Sequence, residues 1–254
     1  MNTYDKYNNA IIHYGGKSKL LLPFGPRQKM KNKYYTGGTD TDNKMFNDKK
    51  KALFPPINPQ KFDLLRIDEP SLSYMTYWKH ADEISEKIMN NLQERDLNAR
   101  NLCIVDMTAC VGGNVLSFAK YFKNVIAIEY IKERAEYCAN NVKLYGFNNV
   151  QVINGDSVKL INSSETPEKY HVFFMDPPWG GVDYKSKKKL HLTLGEVEIE
   201  DVCKSIFTKM TKMVLIVLKL PLNYDKEYLE GRLKKFKFQY IPFKKMMIVF
   251  LEKK

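Results

Sequence analysis

The feature that most constrains this chain is an alternation of short apolar runs with amphipathic segments, regular from about residue 100 onward. The apolar runs predict strands at 102–105, 125–128, 150–153, 172–175 and 213–218. The amphipathic segments predict helices at 79–93, 114–122, 132–145, 197–210 and 225–235. Two final runs, 236–241 and 246–251, predict a closing hairpin. Strands that alternate with helices indicate a doubly wound α/β fold, here with a mostly parallel seven-stranded sheet, whose ligand crevice lies at the carboxyl ends of the strands.

The N-terminal part of the chain differs in composition. The chain has 254 residues and a net charge of +12, which favours a polyanionic partner such as nucleic acid. Residues 1–60 hold eleven basic and four acidic side chains, and therefore +7 of that charge. They predict a partly flexible extension, either a basic tail or a nucleic-acid arm that orders on binding. Apolar patches at 11–14 and 20–24 are expected to dock on the main domain. The expected boundaries are 1–60 for the extension, 61–99 for a helical subdomain covering the substrate side, and 100–254 for the α/β domain.

Cysteine usage and targeting patterns favour an intracellular protein. The four cysteines form no Cys-x-x-Cys pair, which is typical of reduced thiols. The N-terminus lacks a signal pattern, and no apolar run approaches the roughly 18 residues of a membrane span. We therefore expect a soluble monomer of the nucleus or cytoplasm, with no membrane partner, and the Lys-, Asn- and Ile-rich composition suggests a viral or protozoan source. No cluster has metal-ligand spacing, so no metal is predicted. We interpret His171 and His191 as structural or solvated.

The run Asp176-Pro177-Pro178-Trp179 directly follows the predicted strand 172–175. These residues suit the task of holding a planar amine against a methyl donor. The Asp176 carboxylate and the Pro177 carbonyl can accept the two hydrogens of an exocyclic amine, and the Trp179 ring can stack on the base. The prolines stiffen the turn because their φ is fixed.

Three acidic residues follow three successive predicted strands. Asp106 ends the first strand, Glu129 ends the second, and Asp156 comes just after the third. Each alone is typical of a solvated loop or a helix cap. Together they lie at one edge of a parallel sheet, where Glu129 can accept both ribose hydroxyls of a nucleoside and Asp156 a hydrogen of an adenine amino group. The small residues at 108–114 allow a ligand to approach the backbone closely.

With these motifs the chain resembles the class I S-adenosylmethionine-dependent methyltransferases that modify amino groups on nucleobases. It is most similar to the trimethylguanosine synthases, over about residue 66 to the C-terminus. The similar runs are Val-Gly-Gly-Asn at 111–114, Pro-Pro-Trp-Gly-Gly-Val-Asp-Tyr at 177–184 and Lys-Leu-Pro-Leu-Asn at 219–223. The resemblance implies a Rossmann-like class I methyltransferase fold, S-adenosylmethionine as cofactor and capped RNA as partner. Family members methylate the 2-amino group of a 7-methylguanosine cap.

The resemblance also implies the site residues. The cofactor would be bound by Asp106, Thr108, Val111, Gly112, Gly113, Asn114, Glu129, Asp156, Ser157 and Asp176. The amine would be oriented for catalysis by Asp176, Pro177 and Trp179. The cap would be contacted by Trp78, Pro178, Trp179, Lys185, Lys187 and Lys188, with the lysines on the triphosphate.

Two positions depart from the family pattern. Cys110 stands where the family usually has Gly, so the first turn is expected to run differently around the methionine part of the cofactor. Asp176 stands where some relatives have Ser, and a carboxylate can bind the amine more strongly. Two other functions stay open from the sequence: an amino-methyltransferase for an internal guanine or adenine of RNA or DNA, and a non-catalytic module that binds caps or RNA.

Overall fold

The computed structural model describes residues 11–14, 17–20, 40–163 and 169–254. The N-terminal elements are β1 (Ile11–Tyr14), β2 (Lys17–Leu20), α1 (Asp40–Leu53), α2 (Pro59–Phe62), α3 (Ser71–Tyr74) and α4 (Trp78–Gln93). After a short 3-10 helix at Ala99–Asn101 come β3 (Cys103–Asp106), α5 (Gly113–Tyr121), β4 (Asn124–Glu129), α6 (Lys132–Tyr145), β5 (Val150–Asn154), α7 (Ser157–Asn162) and β6 (Val172–Met175). A second 3-10 helix at Gly181–Ser186 leads to β7 (Thr193–Leu194), β8 (Val197–Glu198), α8 (Ile199–Lys209), β9 (Leu215–Pro221), α9 (Lys226–Arg232), β10 (Phe236–Phe243) and β11 (Met246–Lys253).

The main sheet has the strand order β10-β11-β9-β6-β3-β4-β5-β1-β2. The seven strands from β10 to β5 are the predicted sheet: β9, β6, β3, β4 and β5 run parallel, and β11 and β10 are antiparallel. The doubly wound, mostly parallel α/β fold is therefore confirmed. Strands β1 and β2 extend the sheet beyond β5, where β1 is parallel to β5 through the pair His13 and Ile153. The prediction that patch 11–14 docks on the main domain is confirmed by this pairing.

The N-terminal extension contains more regular structure than we expected. Residues 1–60 were predicted to form a tail or an arm, and within them the structure has two strands and helix α1. Pairing with the edge of the sheet supplies the partner that the short runs 11–14 and 17–20 need to become strands. The prediction of a basic arm otherwise falls on 1–10, 15–16 and 21–39, which lie outside the described residues, as does most of the patch 20–24.

Two element boundaries also differ from prediction. The strand predicted at 213–218 is Leu215–Pro221, because β11 pairs with it as far as Pro221. Lys219 therefore lies inside a sheet strand. The helix predicted at 197–210 begins at Ile199, since Val197–Glu198 pairs with Thr193–Leu194.

The core lies on both faces of the sheet. In β6, Val172 and Phe174 pack with helices α4, α5 and α6, while Phe173 and Met175 pack with α7, α8 and α9. All four side chains are buried, as expected for a parallel strand covered on both faces. In the described part of the chain, no helix has the length and hydropathy to span a membrane.

The topology defines where a ligand can bind. From β3 the chain winds through α5 to β4 and β5, and it then returns through α7 to β6 on the other side of β3. The loops after the neighbouring strands β3 and β6 consequently leave toward opposite faces of the sheet. This reversal of strand order is the place where doubly wound sheets open a crevice.

Candidate active site

Asp106 ends β3 at the floor of this crevice and is completely buried. Its Oδ1 accepts hydrogen bonds from the Thr108 backbone N–H at 3.0 Å and from the Thr108 hydroxyl at 3.4 Å. Its Oδ2 has no hydrogen-bond partner among the described residues. Burial raises the pKa of Asp106 to about 7, with a smaller rise from Asp176 and Glu129 that the Thr108 hydrogen bonds oppose. The site therefore contains a buried acceptor that a donor group on a ligand can satisfy.

The turn after β3 runs through Cys110 in the left-handed backbone conformation, with φ of 48°. Glycine adopts this conformation without steric cost, which is a physical reason for a family preference for Gly there. Cys110 adopts the same left-handed conformation, so a Cys in place of Gly does not by itself require a different backbone path for this turn. Its Sγ lies 3.2 Å from the Ser71 Oγ, and its N–H donates to Glu129 Oε2 at 2.8 Å.

Gly113 begins α5 against the segment that precedes α4. A Cβ at this position would lie 2.8 Å from Met75 Cγ and 3.1 Å from the Thr76 carbonyl oxygen. The next residue, Asn114, is buried and donates from Nδ2 to Thr76 Oγ1 at 3.3 Å. Its Oδ1 is a second buried acceptor for which the described residues supply no donor. The segment at 75–76 thus lies directly against the helix start that the sequence singled out for the cofactor.

Glu129 ends β4 and links two turns. Its Oε2 accepts from the Cys110 N–H, and its Oε1 accepts from the Ile131 N–H at 2.9 Å. Burial raises the pKa of Glu129, and these two backbone hydrogen bonds oppose the rise. Each carboxylate oxygen keeps acceptor capacity for a further donor, because a carboxylate offers about four lone-pair sites.

Asp156 caps helix α7. Its Oδ1 accepts from the N–H groups of Val158 at 3.0 Å and Lys159 at 3.1 Å, while Oδ2 lies 3.8 Å from the Lys159 ammonium. The ordinary role of an acid at this position, a helix cap, is therefore present, and Ser157 is buried at the first helical position. A role toward a cofactor would use the Oδ2 side of the same carboxylate.

Asp176 follows β6 and is hydrogen-bonded to two other segments. Its N–H donates to Thr108 Oγ1 at 2.9 Å, which ties the loop after β6 to the turn after β3. Its Oδ2 accepts from the ammonium of Lys219 on β9 at 2.5 Å. Both side chains are largely shielded, with exposures of 14% for Asp176 and 7% for Lys219. Burial raises the pKa of Asp176, and the charge and hydrogen bond of Lys219 oppose that rise.

Lys219 is the residue that sequence reasoning missed. Its ammonium also donates to Thr76 Oγ1 at 3.0 Å, so Thr76 accepts from both Lys219 and Asn114. The sequence signal was a single lysine within the apolar run that ends at Pro221. A lysine in a buried strand requires a counter-charge, which here is Asp176.

Trp179 is half-buried beside this pair. Its ring contacts Tyr184 edge-to-face at a centroid distance of 5.2 Å, and the Lys219 ammonium lies 5.6 Å from its centroid. The indole Nε1 is buried and has no acceptor among the residues described. Pro177 is buried and Pro178 is exposed. The stiff turn therefore presents one proline and part of an indole ring at the mouth of the crevice.

The predicted cap-binding residues differ in exposure and in their contacts. Lys185, Lys187 and Lys188 are exposed on and after the second 3-10 helix. Asn223 holds their loop, because its Nδ2 donates to the carbonyls of Tyr184 and Lys187 at 2.7 Å each. Half-buried Trp78 begins α4 and lies near Lys79, whose ammonium is 5.5 Å from its ring centroid. None of the contacts described joins Trp78 to the Asp176–Lys219 network.

The two histidines of interest have structural roles. His171 Nδ1 accepts from the Cys103 N–H at 3.1 Å, and burial lowers the pKa of His171. His191 stacks on Tyr228 at a centroid distance of 4.2 Å and lies 3.5 Å from Asp225. In the described ranges no three His, Cys, Asp or Glu side chains form a group that could hold a metal ion.

Solved structures define the class of this fold. The chain is similar to a methyltransferase structure from Porphyromonas gingivalis W83, with a TM-score of 0.54 and 14% identity, over 84% of this chain and 56% of that chain. It is also similar to a T. thermophilus 16S rRNA N2 G1207 methyltransferase in complex with AdoMet and guanosine, with a TM-score of 0.50 and 16% identity, over 74% of this chain and 44% of that chain. At such identities the likeness shows the fold alone, which is that of the class I methyltransferases.

Sequence comparison defines the family. The family model for RNA cap guanine-N2 methyltransferases matches residues 101–251. The chain is 39% identical over 220 residues to an uncharacterized protein of Acanthamoeba polyphaga mimivirus, covering 80% of this chain and 85% of that protein. It is 36% identical to the trimethylguanosine synthase of Schizosaccharomyces pombe, over 48% of this chain and 48% of that protein. It is 30% identical to the trimethylguanosine synthase of Saccharomyces cerevisiae, over 48% of this chain and 39% of that protein. The chain belongs to the RNA cap guanine-N2 methyltransferase family, and the predicted resemblance is confirmed.

Proposed function

We propose that this protein transfers a methyl group from S-adenosylmethionine to the exocyclic 2-amino group of a 7-methylguanosine RNA cap. The observation that carries the proposal is the carboxylate of Asp176, which is held by Lys219 beside the ring of Trp179 at the exit of β6. The Asp176 backbone is in turn bonded to Thr108 of the turn after β3. Asp176 would accept from the target amine and Trp179 would stack on its base, next to the turn that would hold the methyl donor.

The unsatisfied atoms of the turn after β3 fit the cofactor. Asp106 Oδ2 and Asn114 Oδ1 are buried acceptors without donors in the described structure, and the ammonium of the cofactor's methionine part is a donor of suitable charge. Glu129 would bind the ribose hydroxyls and Asp156 the adenine amino group. When bound, S-adenosylmethionine supplies an electrophilic methyl group on a sulfonium.

The residues of the turn after β6 would position the nucleophile. Asp176 Oδ1 and the Pro177 carbonyl accept the two amine hydrogens and aim the nitrogen, which is the main requirement for a weakly nucleophilic amine. Trp179 stacks on the base, and a cationic 7-methylguanine gains about 0.5–2 kcal/mol over neutral guanine from the ring face. Lys219 is near the same ring, but its charge is paired with Asp176. The proton can leave after transfer, so the mechanism assigns no strong base.

The remaining residues would bind the rest of the cap. The triphosphate would be bound by Lys185, Lys187 and Lys188. The cap would then lie with its base on Trp179 and its phosphates along the exposed loop that follows. Lys189 is less suited, because it pairs with Asp225 at 3.2 Å and Glu227 at 2.8 Å. We further propose that segment 61–99 covers the substrate side and that Trp78 walls the pocket.

A three-substrate assay tests the proposal. Labelled S-adenosylmethionine is offered with a 7-methylguanosine dinucleotide cap, with the unmethylated cap analogue and with uncapped RNA. The expected result is transfer to the 7-methylguanosine cap, with less transfer to the unmethylated analogue. Transfer to uncapped RNA alone would overturn the cap assignment.

The second candidate is an amino-methyltransferase for an internal guanine or adenine of a longer nucleic acid. The net charge of +12 favours it, since a long polyanion would use basic surface beyond the cap site. The uncapped RNA in the same assay reports it directly. Calorimetry with the cofactor separates both from a non-catalytic binding module, which would give no heat at millimolar S-adenosylmethionine.

A further inference from the structure

Lys219 is a buried lysine near the carboxyl end of an internal strand of the sheet. It lies in β9 between the completely buried Leu218 and Leu220, and is itself only 6% exposed. Removing an ammonium from water is costly unless it is paired and hydrogen-bonded. The groups that pair with its ammonium therefore indicate the role of this lysine.

The partners of Lys219 all belong to the proposed site. The ammonium contacts Asp176 Oδ2 at 2.5 Å and Thr76 Oγ1 at 3.0 Å, and it lies 5.6 Å from the Trp179 ring centroid. Thr76 in turn accepts from Asn114 at the start of α5. One ammonium thus connects the segment before α4, the cofactor turn through Asn114, and the loop after β6.

We propose that Lys219 is a positioning residue for methyl transfer: it holds one oxygen of Asp176 so that the other is presented to the target amine. The inference rests on the proposed function, because the amine is what Asp176 would orient. Both groups are shielded from water, so each charge needs the other.

Charged groups reach Asp176 from several elements, and they decide how the site should respond to pH. Lys219 approaches from β9, and Asp106 from the end of β3. Burial lowers the pKa of His80 of α4, and the charge of Lys219 makes a smaller contribution in the same direction. Burial raises the pKa of Asp176, and Lys219 is the cation that opposes the rise. Without the ammonium the pKa of Asp176 rises further, and a protonated carboxyl has lost part of its acceptor capacity.

The pH–rate profile of Lys219→Met tests the inference. We expect a loss of about 10²-fold in kcat near pH 7 from misplacement of the acceptor, with partial recovery at higher pH as Asp176 ionises. Lys204→Met is the matched control, since Lys204 pairs with Asp201 on the exposed face of α8. A Lys219→Met profile that keeps the wild-type shape, lowered equally at every pH, would show a merely structural lysine and overturn the inference.

A double variant keeps the test decisive if Lys219→Met folds poorly. Asp176→Asn with Lys219→Met removes both charges and leaves no unpaired buried ion. It is expected to fold and to lose the acid limb that Lys219→Met adds to the rate profile, while a limb that Asp106 contributes in the wild type stays. An acid limb that persists at the position seen for Lys219→Met would assign the titration to another group and refute the role of the pair.

A titration without substrate separates failure of this inference from failure of the proposed function. Carboxyl-labelled aspartate can be followed by carbon NMR in the cofactor-free protein, with Asp176→Asn identifying the signal. The Asp176 signal should titrate at higher pH in Lys219→Met than in the wild type. Equal titration in both proteins overturns the inference even if the cap is methylated, whereas failure to methylate any cap overturns only the proposed function.

Discussion

Ionisation of the buried Asp106 should lower the free energy of unfolding, and this effect can be measured without any ligand. Burial raises its pKa from 3.8 to about 7, a difference of about three units. At 1.36 kcal/mol per unit, the native state is penalised by about 4 kcal/mol once the carboxyl is forced to ionise. The folded protein holds this proton between about pH 4 and pH 7 while the unfolded chain has lost it, so stability falls as the pH rises through that window.

Asp106→Asn should abolish this fall. The amide cannot ionise, and its oxygen can still accept from the Thr108 N–H that now bonds Oδ1 at 3.0 Å. The free energy of unfolding, measured by urea titration of the cofactor-free protein from pH 4.5 to 8, should decline by about 3 kcal/mol less in the variant than in the wild type, because part of the total fall lies below pH 4.5. Glu86→Gln, on the exposed side of α4, is the control. Parallel pH–stability curves for the wild type and Asp106→Asn would refute the reasoning.

Three further predictions follow from individual contacts. Trp179→Ala should weaken cap binding by ~1–3 kcal/mol, as loss of a base–aromatic stack does, with cofactor affinity nearly unchanged in calorimetry; a collapse of cofactor binding alone would contradict the role given to the ring. Gly113→Ala should destabilise by about 1–3 kcal/mol in urea, because the new Cβ would lie 2.8 Å from Met75 Cγ, and a stabilised variant would contradict the close approach. Cys110→Gly should keep the free energy of unfolding within about 1 kcal/mol of the wild type, since glycine suits the φ of 48°. Cys110→Val should lower it by about 1–3 kcal/mol. Equal stability of the two variants would argue against a left-handed turn.

The parts of the fold that follow from local pattern were predictable. Strand β6 and helix α6 have the predicted bounds, because an apolar run of four residues and a helical period ending at Gly146 leave little choice. Gly146 takes a positive φ of 78°, as a helix-ending glycine does. The doubly wound, mostly parallel sheet followed from the alternation of strands and helices.

Contacts between distant segments were not predictable in the same way. Lys219 and Asp176 are 43 residues apart and meet only because β9 and β6 are neighbours. A sequence pattern indicates that a buried lysine needs a partner, but the choice of partner depends on strand order and register. Asp156 shows another limit, because an N-cap and a ligand-binding acid have the same sequence signature.

The N-terminal strands were missed for a third reason. The runs 11–14 and 17–20 flank a Gly-Gly pair, which is a hairpin signal, but each run is too short to be stable alone. Their stability depends on the free edge of β5, which only the assembled sheet provides. A local sequence pattern does not indicate that the edge of β5 is available to pair with these runs.

The identity of the methylated nucleoside tests the central claim most directly. A 7-methylguanosine dinucleotide cap is incubated with the protein and labelled S-adenosylmethionine, digested to nucleosides, and analysed by mass spectrometry and NMR to locate the new methyl group. The account predicts that the label is on the exocyclic nitrogen at position 2 of 7-methylguanosine. Label on any other atom, or on an internal nucleoside of RNA with the cap unmodified, would contradict it.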